Sequence, residues 1–377
     1  MVNRILQKNI EKYLFKNKTI ILYGARQVGK TTLVESIVKN YLNTTLFLNG
    51  DDSDIRDLFT DINFNKLKPV LNNFKIVILD EAQRIQDVGL ALKIIHDNFK
   101  GIQLIATGSS AFELANKIKE PLTGRKFEFF LHPFSFEEMT DHHNFLIEKR
   151  LLEHRLIYGY YPDIALNTGD EQKLLKSLAS SYLYKDLLML DGIQKPVLLE
   201  KILKALALQI GNEVSYYELA GLLDADKATV EKYMDLLEKT YIIFKLNGLN
   251  RNVRNEIKKG KKIYFYDNGI RNAILGNFVP INQRVDKGAL WENFIISERL
   301  KFNNNRGIDF KSYFWRTTQQ QEIDYIEEIE NKLFAYEFKW DGGKKGFLSK
   351  TFSNAYPETP FKIISPDNMH ELILKAV

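Results

Sequence analysis

The stretch Thr19-Ile-Ile-Leu-Tyr-Gly-Ala-Arg-Gln-Val-Gly-Lys-Thr31 joins a short apolar run to a glycine-rich turn. The run 19–23 predicts a buried strand, and a helix is expected to begin at Lys30. The segment between them matches the pattern G-x-x-x-x-G-K-[ST] in the strand-to-helix context that this pattern requires. The stretch therefore predicts an α/β fold with a phosphate-binding loop.

Each residue type in this loop has a chemical reason to be there. Glycines let backbone amides wrap around phosphates, and the positive end of the helix favours their negative charge. Lys30 is expected to reach the β and γ phosphates, and the Thr31 hydroxyl is expected to coordinate Mg²⁺. We therefore predict ATP and Mg²⁺ as ligands. The predicted nucleotide-binding residues are Gly24, Ala25, Arg26, Gln27, Val28, Gly29, Lys30, Thr31 and Thr32.

Three further apolar runs, at residues 45–48, 76–79 and 103–106, alternate with amphipathic stretches. Short buried runs separated by helices predict a parallel sheet that is covered on both faces. The second of these runs, residues 76–79, is followed by two acids, Asp80 and Glu81. We predict that Asp80 helps to hold the metal and that Glu81 acts as the general base on the attacking water.

Three more residues are candidates for catalysis. Thr107 and Ser109 follow the strand 103–106 and are predicted to orient the lytic water, although hydroxyls here could equally cap a helix that begins near Ala111. Arg125 is predicted to neutralise transition-state charge, either within its own chain or from a neighbouring subunit. An ordinary surface arginine is the alternative.

The remainder of the chain divides by pattern. Residues 133–195 look helical and are predicted to form a lid, with aromatic landmarks at 134–136, 158–162 and 181–186. Residues 197–246 carry three helical patterns and then a β-rich run at 241–246, which predicts a winged helix-turn-helix. Beyond residue 262 further strands, together with a helix over 290–301, predict a second α/β domain.

A group of charged residues in the last domain resembles a metal site. Asp324 lies on one predicted strand, and Glu337 and Lys339 share one face of the next. Such carboxylates can bind Mg²⁺ and the lysine can position water, as the PD-(D/E)xK nuclease signature requires, with Glu292 as an extra acid. A half-exposed strand shows the same alternation, and endonuclease-like folds can also serve as inactive binding modules.

Evidence for a nucleic-acid partner is mixed. The third helix of the predicted winged helix would present Lys227, Thr229 and Lys232 to a groove, but several acids lie among them. A role in packing or partner binding is equally consistent with that charge pattern. The run 251–262 holds six cations and one acid. It could contact phosphates or could be a solvated loop.

Several motifs together resemble one family, the prokaryotic AAA+ ATPases that carry a conserved C-terminal domain of unknown function. The resemblance rests on residues 24–31, 79–83, 106–110, 122–125, 133–136, 158–162, 264–269, 288–294 and 322–325. It implies an AAA+ module, a winged helix and a C-terminal fold similar to restriction endonucleases. The expected domains are a P-loop core (1–132), a helical lid (133–195), a winged helix (196–250) and an endonuclease-like domain (251–377).

Composition sets the remaining expectations. The chain has 377 residues, 45% of them hydrophobic and 27% charged, with a net charge of +5 and no cysteine. This composition is typical of a globular protein and excludes disulfides and thiolate metal sites. We expect no signal peptide, no membrane span and a cytoplasmic location.

Two classes of function stay open at this stage. One is an ATP-driven enzyme that acts on DNA through the nuclease-like domain. The other is a nucleotide-gated switch that binds a protein partner while the C-terminal domain cuts nothing. An arginine acting between subunits would also require a homo-oligomer.

Overall fold

The computed structural model describes residues 1–109, 118, 121–180, 195–249, 260–343, 346 and 348–375. The chain forms two compact units. The first contains Met1–Pro133 with Lys239–Tyr241, and the second contains Phe134–Glu238 with Ile242–Val377. The domain boundaries expected after residues 132, 195 and 250 stay predictions.

A parallel sheet forms the centre of the first unit. Its strands are β1 (Thr19–Tyr23), β2 (Thr45–Asn49), β3 (Ile76–Asp80), β4 (Gln103–Gly108) and β5 (Lys126–Phe130). They lie in the order β2-β3-β4-β1-β5, and each neighbouring pair is parallel. All residues of β1, β3 and β4 are buried, as expected when both faces of a sheet are covered. The predicted parallel sheet is confirmed, whereas β5 was not predicted.

The helices of the first unit bury one side each. Within the described residues they are α1 (Ile5–Glu11), α2 (Lys30–Ile37), α3 (Ser53–Phe59), α4 (Phe64–Leu71) and α5 (Val88–Asn98). In α5, the buried residues Val88, Ala91, Leu92 and Ile95 recur every three or four positions. This spacing puts them on one side of the helix, where they join the apolar core with β3 and β4.

The second unit begins with short helices. They are α6 (Phe136–His142), α7 (Phe145–Arg150), α8 (Leu152–Tyr158), α9 (Pro162–Leu166) and α10 (Glu171–Ser180). The segment predicted as a lid is therefore helical as far as residue 180, and the aromatic landmark at 181–186 lies outside the described residues. No described helix is long and apolar enough to cross a lipid bilayer.

The next elements are a helix, a short strand, two helices and two strands. They are α11 (Pro196–Leu208), β6 (Glu213–Val214), α12 (Tyr216–Leu222), α13 (Lys227–Lys239), β7 (Ile243–Gly248) and β8 (Lys261–Phe265). β8 pairs in antiparallel fashion with both β6 and β7. Most of the predicted basic run, residues 251–259, lies outside the described part of the chain.

The C-terminal elements extend the same sheet. They are α14 (Asn268–Leu275), α15 (Lys287–Arg306), β9 (Lys311–Arg316), β10 (Glu322–Ile329), β11 (Lys332–Phe338), α16 (Lys350–Ala355), β12 (Phe361–Ile364) and α17 (His370–Ile373). The sheet has seven strands in the order β12-β11-β10-β9-β7-β8-β6. One continuous sheet therefore includes strands of both regions that the sequence analysis treats as separate domains.

A buried carboxylate, Asp267, ties the start of the second unit to its C-terminal half. Its Oδ2 accepts a hydrogen bond from Tyr160 N at 2.7 Å, and its Oδ1 accepts one from Ile270 N at 3.2 Å. Burial raises the pKa of Asp267, while the positive charge of Lys301 and these backbone donors oppose that rise. The aspartate thus satisfies backbone amides from two segments that are distant in sequence.

Two glycines allow this close approach. Gly159 has a φ of 73° and a ψ of −158°, a region of backbone space that is used almost only by glycine. A Cβ atom on Gly159 would lie 2.0 Å from Asp267 Oδ1, and one on Gly269 would lie 2.1 Å from the Tyr158 carbonyl oxygen. The motifs at 158–162 and 264–269 therefore form one structural joint.

We predict that Gly159→Ala strongly destabilises the second unit, because the new methyl group would overlap Asp267. Gly169→Ala is the matched control, since Gly169 has a φ of 101° but no atom within 4 Å of a Cβ there. The control should lose about 1–2 kcal/mol of unfolding free energy from backbone strain, and Gly159→Ala about 4 kcal/mol or more.

Urea unfolding followed by tryptophan fluorescence measures both variants, because Trp291, Trp315 and Trp340 all belong to the second unit. Equal losses in the two variants would contradict the tight joint.

Candidate functional site

The glycine-rich loop, residues 24–31, connects β1 to α2. Gly29 precedes the helix with a φ of 91°, a left-handed conformation that glycine adopts readily. A Cβ atom on Gly24 would lie 2.4 Å from the Leu131 carbonyl oxygen. The loop therefore needs glycine at both positions to direct its backbone amides, and those of the first turn of α2, toward an anion.

Lys30 is the more deeply buried of the two cations in the loop, Arg26 and Lys30. Its side chain is 6% exposed, and its Nζ donates hydrogen bonds to the carbonyl oxygens of Gly24 and Ala25, both at 3.0 Å. The ammonium is therefore held against the loop backbone. A positive charge at this place attracts the phosphate oxygens of a nucleotide.

Asp80 lies at the carboxyl end of β3 and links the loop to the neighbouring strand. Its Oδ2 accepts a hydrogen bond from Thr31 Oγ1 at 2.7 Å, and its Oδ1 accepts one from Thr107 Oγ1. The same Oδ1 accepts a bond from Glu81 N at 3.1 Å. Mg²⁺ prefers oxygen ligands, so the Thr31 hydroxyl and the Asp80 carboxylate fit this ion.

Glu81 follows Asp80 with a φ of 47°, a left-handed conformation that is uncommon outside glycine. Its Oε2 accepts a hydrogen bond from Gln83 Nε2 at 2.5 Å. The same Gln83 nitrogen donates to Ser109 Oγ at 3.0 Å. Gln83 therefore connects the candidate base to one of the predicted hydroxyl residues.

The structure thus gathers many of the predicted binding and catalytic residues at the carboxyl ends of the parallel strands. The side chains that it brings together are those of Lys30, Thr31, Asp80, Glu81, Thr107 and Ser109. Of the other loop residues, Ala25 and Val28 are buried, Arg26 is half-buried, and Gln27 and Thr32 are exposed. Ser110 and the helix expected near Ala111 lie outside the described residues.

Arg125 does not join this group. Its carbonyl oxygen accepts a hydrogen bond from Thr19 N at 2.9 Å, so Arg125 lies beside the first residue of β1. The loop follows the opposite end of this five-residue strand, roughly 13 Å away. The Arg125 guanidinium pairs instead with Asp97 Oδ1 at 3.0 Å. From this end of β1, Arg125 cannot reach a phosphate that is bound by the loop of its own chain.

The predicted C-terminal group is partly assembled. Lys339 Nζ lies 2.6 Å from Glu337 Oε1, and Asp324 Oδ2 accepts a hydrogen bond from Phe338 N at 2.8 Å. Burial raises the pKa of Asp324 to about 7, and the negative charge of Glu292 adds to the rise. Glu292 therefore acts electrostatically on Asp324.

Other residues complete this charged cluster. Lys262 Nζ lies 2.5 Å from Glu322 Oε1 and 3.2 Å from Glu292 Oε1. The Tyr264 hydroxyl donates a hydrogen bond to Glu292 Oε1 at 2.6 Å. Within the described part of the chain, no group of three or more His, Cys, Asp or Glu side chains is arranged to hold a metal ion.

The predicted groove-facing helix, α13, already pairs two of its candidate residues. Lys227 Nζ lies 3.1 Å from Glu231 Oε1, and the Thr229 hydroxyl donates to Asp226 Oδ2 at 2.5 Å. Hydrogen bonds from the side chain and the backbone of Thr229 lower the pKa of Asp226. Lys227 and Thr229 are therefore engaged by acids at the start of this helix and one turn along it.

Comparison with known families agrees with the nucleotide-site geometry. Residues 16–140 match an AAA domain. This AAA segment contains every residue of the candidate nucleotide site. Residues 149–280 and 287–368 match two domains of unknown function, DUF8612 and DUF4143. The chain is thus similar to an AAA-type P-loop protein with two further family segments.

Similar proteins occur in archaea and bacteria. An uncharacterized protein of Methanocaldococcus jannaschii is 24% identical over 352 residues, which cover 87% of this chain and 76% of the relative. An uncharacterized protein of Mycobacterium tuberculosis is 24% identical over 335 residues, covering 88% and 72%. One of Haemophilus influenzae is 24% identical over 338 residues, covering 81% of each chain.

Solved structures give only a weak likeness. Pif1 helicase from Candida albicans has a TM-score of 0.27 and 17% identity over 48% of each chain. Drosophila ORC bound to AT-rich DNA and Cdc6 has a TM-score of 0.26 and 12% identity, covering 72% of this chain and 92% of the other. Scores this low indicate neither a shared fold nor a shared function.

Two residues that hold these sites together, Gln83 and Lys262, were not among the predicted site residues. Gln83, in the AAA segment, follows the Asp80-Glu81 pair by a short turn, and only its position in that motif could have drawn attention to it. Lys262 belongs to a basic run, where it is indistinguishable from surface lysines until its burial is known. Both residues act through contacts across space that spacing does not reveal.

Proposed function

We propose that this chain binds ATP with Mg²⁺ and hydrolyses it. The observation that carries the proposal is Asp80, which accepts hydrogen bonds from the loop hydroxyl of Thr31 and from Thr107, with Glu81 directly beside it. A P-loop, a metal-binding acid and a neighbouring base are the parts that ATP hydrolysis requires. The match of residues 16–140 to an AAA domain supports the nucleotide-binding part.

Each side chain has a defined task in the proposed reaction. The loop amides and Lys30 bind the phosphates, and Thr31 and Asp80 hold Mg²⁺, which when bound neutralises negative charge on the phosphate oxygens. Glu81 Oε1 accepts the proton of the attacking water, while Gln83 holds Oε2 in place. Ser109 and Thr107 fix the orientation of Gln83 and Asp80.

We predict that Glu81→Gln keeps ATP affinity but loses at least about a hundredfold in turnover, since an amide cannot accept the proton. Lys30→Ala should lose tight binding instead, because the buried ammonium that lies against the loop backbone is removed. Glu35→Gln, an exposed position on α2, is the matched control and should behave as the unaltered chain.

Calorimetric titration with ATP and a phosphate-release assay separate the two effects. Normal turnover in Glu81→Gln would remove Glu81 from the mechanism. Normal ATP affinity in Lys30→Ala would overturn the nucleotide site itself.

Arg125 is proposed to act between subunits of a homo-oligomer. Arg125 lies at the end of β1 opposite the loop, which supports this proposal. From there it could contact only a γ phosphate that is bound by another chain. Its present partner, Asp97, would have to release it. Such a cation stabilises the charge of the transition state.

Under this proposal Arg125→Ala should bind ATP normally and lose about three orders of magnitude in turnover. Mixing it with Lys30→Ala should restore part of the activity, since one interface then combines an intact loop with an intact arginine. Lys126→Ala removes the adjacent cation and is the control. It should keep normal turnover without being mixed with Lys30→Ala. A lack of recovery, together with a monomer in ultracentrifugation at saturating ATP, would exclude the arrangement.

We further propose that nucleotide state controls binding by the second unit, either to DNA or to a protein partner. The order of α11, β6, α12, α13, β7 and β8, with β8 between the two other strands, supports a winged helix. The contacts of Lys227 with Glu231 and of Thr229 with Asp226 favour the protein partner as the second candidate. Because the reaction consumes ATP, the cytoplasm is the proposed location.

The DNA form of the proposal predicts that ATP changes the affinity for double-stranded DNA by about fivefold or more. Fluorescence anisotropy with labelled duplex, at fixed salt, compares ATP-bound and nucleotide-free Glu81→Gln. Lys30→Ala with added ATP is the control and should match the nucleotide-free protein. Identical affinities in all samples would reject DNA and leave the protein-partner form.

A further inference from the structure

Lys262 is one of several buried cations in the second unit, and it lies among three carboxyl groups. Its side chain is 3% exposed. Its Nζ contacts Glu322 at 2.5 Å and Glu292 at 3.2 Å, and it lies 5.6 Å from the centre of the Phe314 ring. The lysine is therefore charged and paired within the protein.

The three surrounding carboxyl groups already accept hydrogen bonds or ion pairs from this chain. Glu292 accepts from Lys262 and from the Tyr264 hydroxyl at 2.6 Å. Glu322 pairs with Lys262 and faces Arg316 at 3.8 Å. Asp324 accepts from Phe338 N at 2.8 Å. Each donor occupies one lone pair of its oxygen, and the Lys262 ammonium lies where a cation that bridges Glu292 and Glu322 would have to lie.

A divalent cation would require a different arrangement. Mg²⁺ demands about six oxygen ligands near 2.0–2.1 Å, and Ca²⁺ takes six to eight at 2.3–2.6 Å. Neither ion tolerates an ammonium group among those ligands, because like charges repel strongly at such distances. The residues of this cluster therefore do not fit a metal ion as they are arranged here.

We infer that Lys262 is a built-in counter-ion that takes the place of a divalent cation between Glu292 and Glu322. It fastens β8 to α15 and β10, so the cluster works as an internal ion-pair joint and not as a metal centre. This inference goes beyond the proposed function and does not depend on ATP hydrolysis. It also assigns Glu292, the extra acid of the nuclease-like signature, a structural task.

The test measures Mn²⁺ binding to the nucleotide-free, full-length chain by calorimetric titration. All proteins carry Asp80→Asn, which removes the metal-binding acid of the AAA segment. The chain with Lys262 should show no binding that depends on Asp324. Lys262→Met should gain one Mn²⁺ site, at least about tenfold tighter than any binding by the chain with Lys262, because the excluding charge is gone.

Asp324→Asn added to Lys262→Met should abolish that new site. The matched control is Lys245→Met, since Lys245 also pairs with two acids, Asp235 at 2.7 Å and Glu238 at 2.8 Å, but outside this cluster. The control should gain no site. Circular dichroism establishes that each variant is folded.

Two results would overturn the inference. One is an Asp324-dependent Mn²⁺ site in the chain that keeps Lys262, and the other is a folded Lys262→Met protein that gains no site. If Lys262→Met does not fold, the first comparison still decides, because it uses only the lysine-containing chain with and without Asp324→Asn. Absence of Asp324-dependent binding there supports the inference. Unchanged phosphate release in the Lys262→Met chain with Asp80 intact keeps this outcome separate from that of the proposed ATPase.

Discussion

The parallel pairing of β1, β3 and β4 is the constraint on which the nucleotide site depends. Ala106 pairs with Ile21 of β1 and with Leu79 of β3, so the three strands end at the same edge of the sheet. Thr31 and Asp80 are 49 residues apart in the sequence, and Asp80 and Thr107 are 27 residues apart. Strand register alone brings them into hydrogen-bond contact, and the glycine-rich loop then adds the phosphate-binding amides.

Local patterns predicted what is local in this molecule. The loop and the Asp80-Glu81 pair could be found because each combines a buried strand with polar residues at its end. β5 was missed because its residues are half-buried at the sheet edge and lack a continuous apolar run. The position of Arg125 was out of reach, since it depends on which end of β1 the residue meets. Lys262 required knowledge of burial.

Some of the motifs behind the family resemblance have a structural explanation. Asp267 is buried and bonded to two backbone amides, and Gly159 and Gly269 provide the space for it. Asn293 adds to the same joint by donating to Asn268 Oδ1 and to the Phe265 carbonyl oxygen. Buried polar groups that are fully bonded specify one arrangement, because every alternative leaves some of them unsatisfied. A recurring motif can therefore reflect assembly of a fold and not chemistry on a substrate.

The seven-stranded sheet of the second unit has a mechanical consequence. β7 joins β9 through two paired positions, whereas β7 joins β8 through five. A force that pulls β7 and β8 away from the C-terminal strands acts on the short pairing between β7 and β9. The force needed to separate two strands is lower when fewer hydrogen bonds share the load. The boundary between β7 and β9 is therefore the place where tension would divide the sheet into two halves.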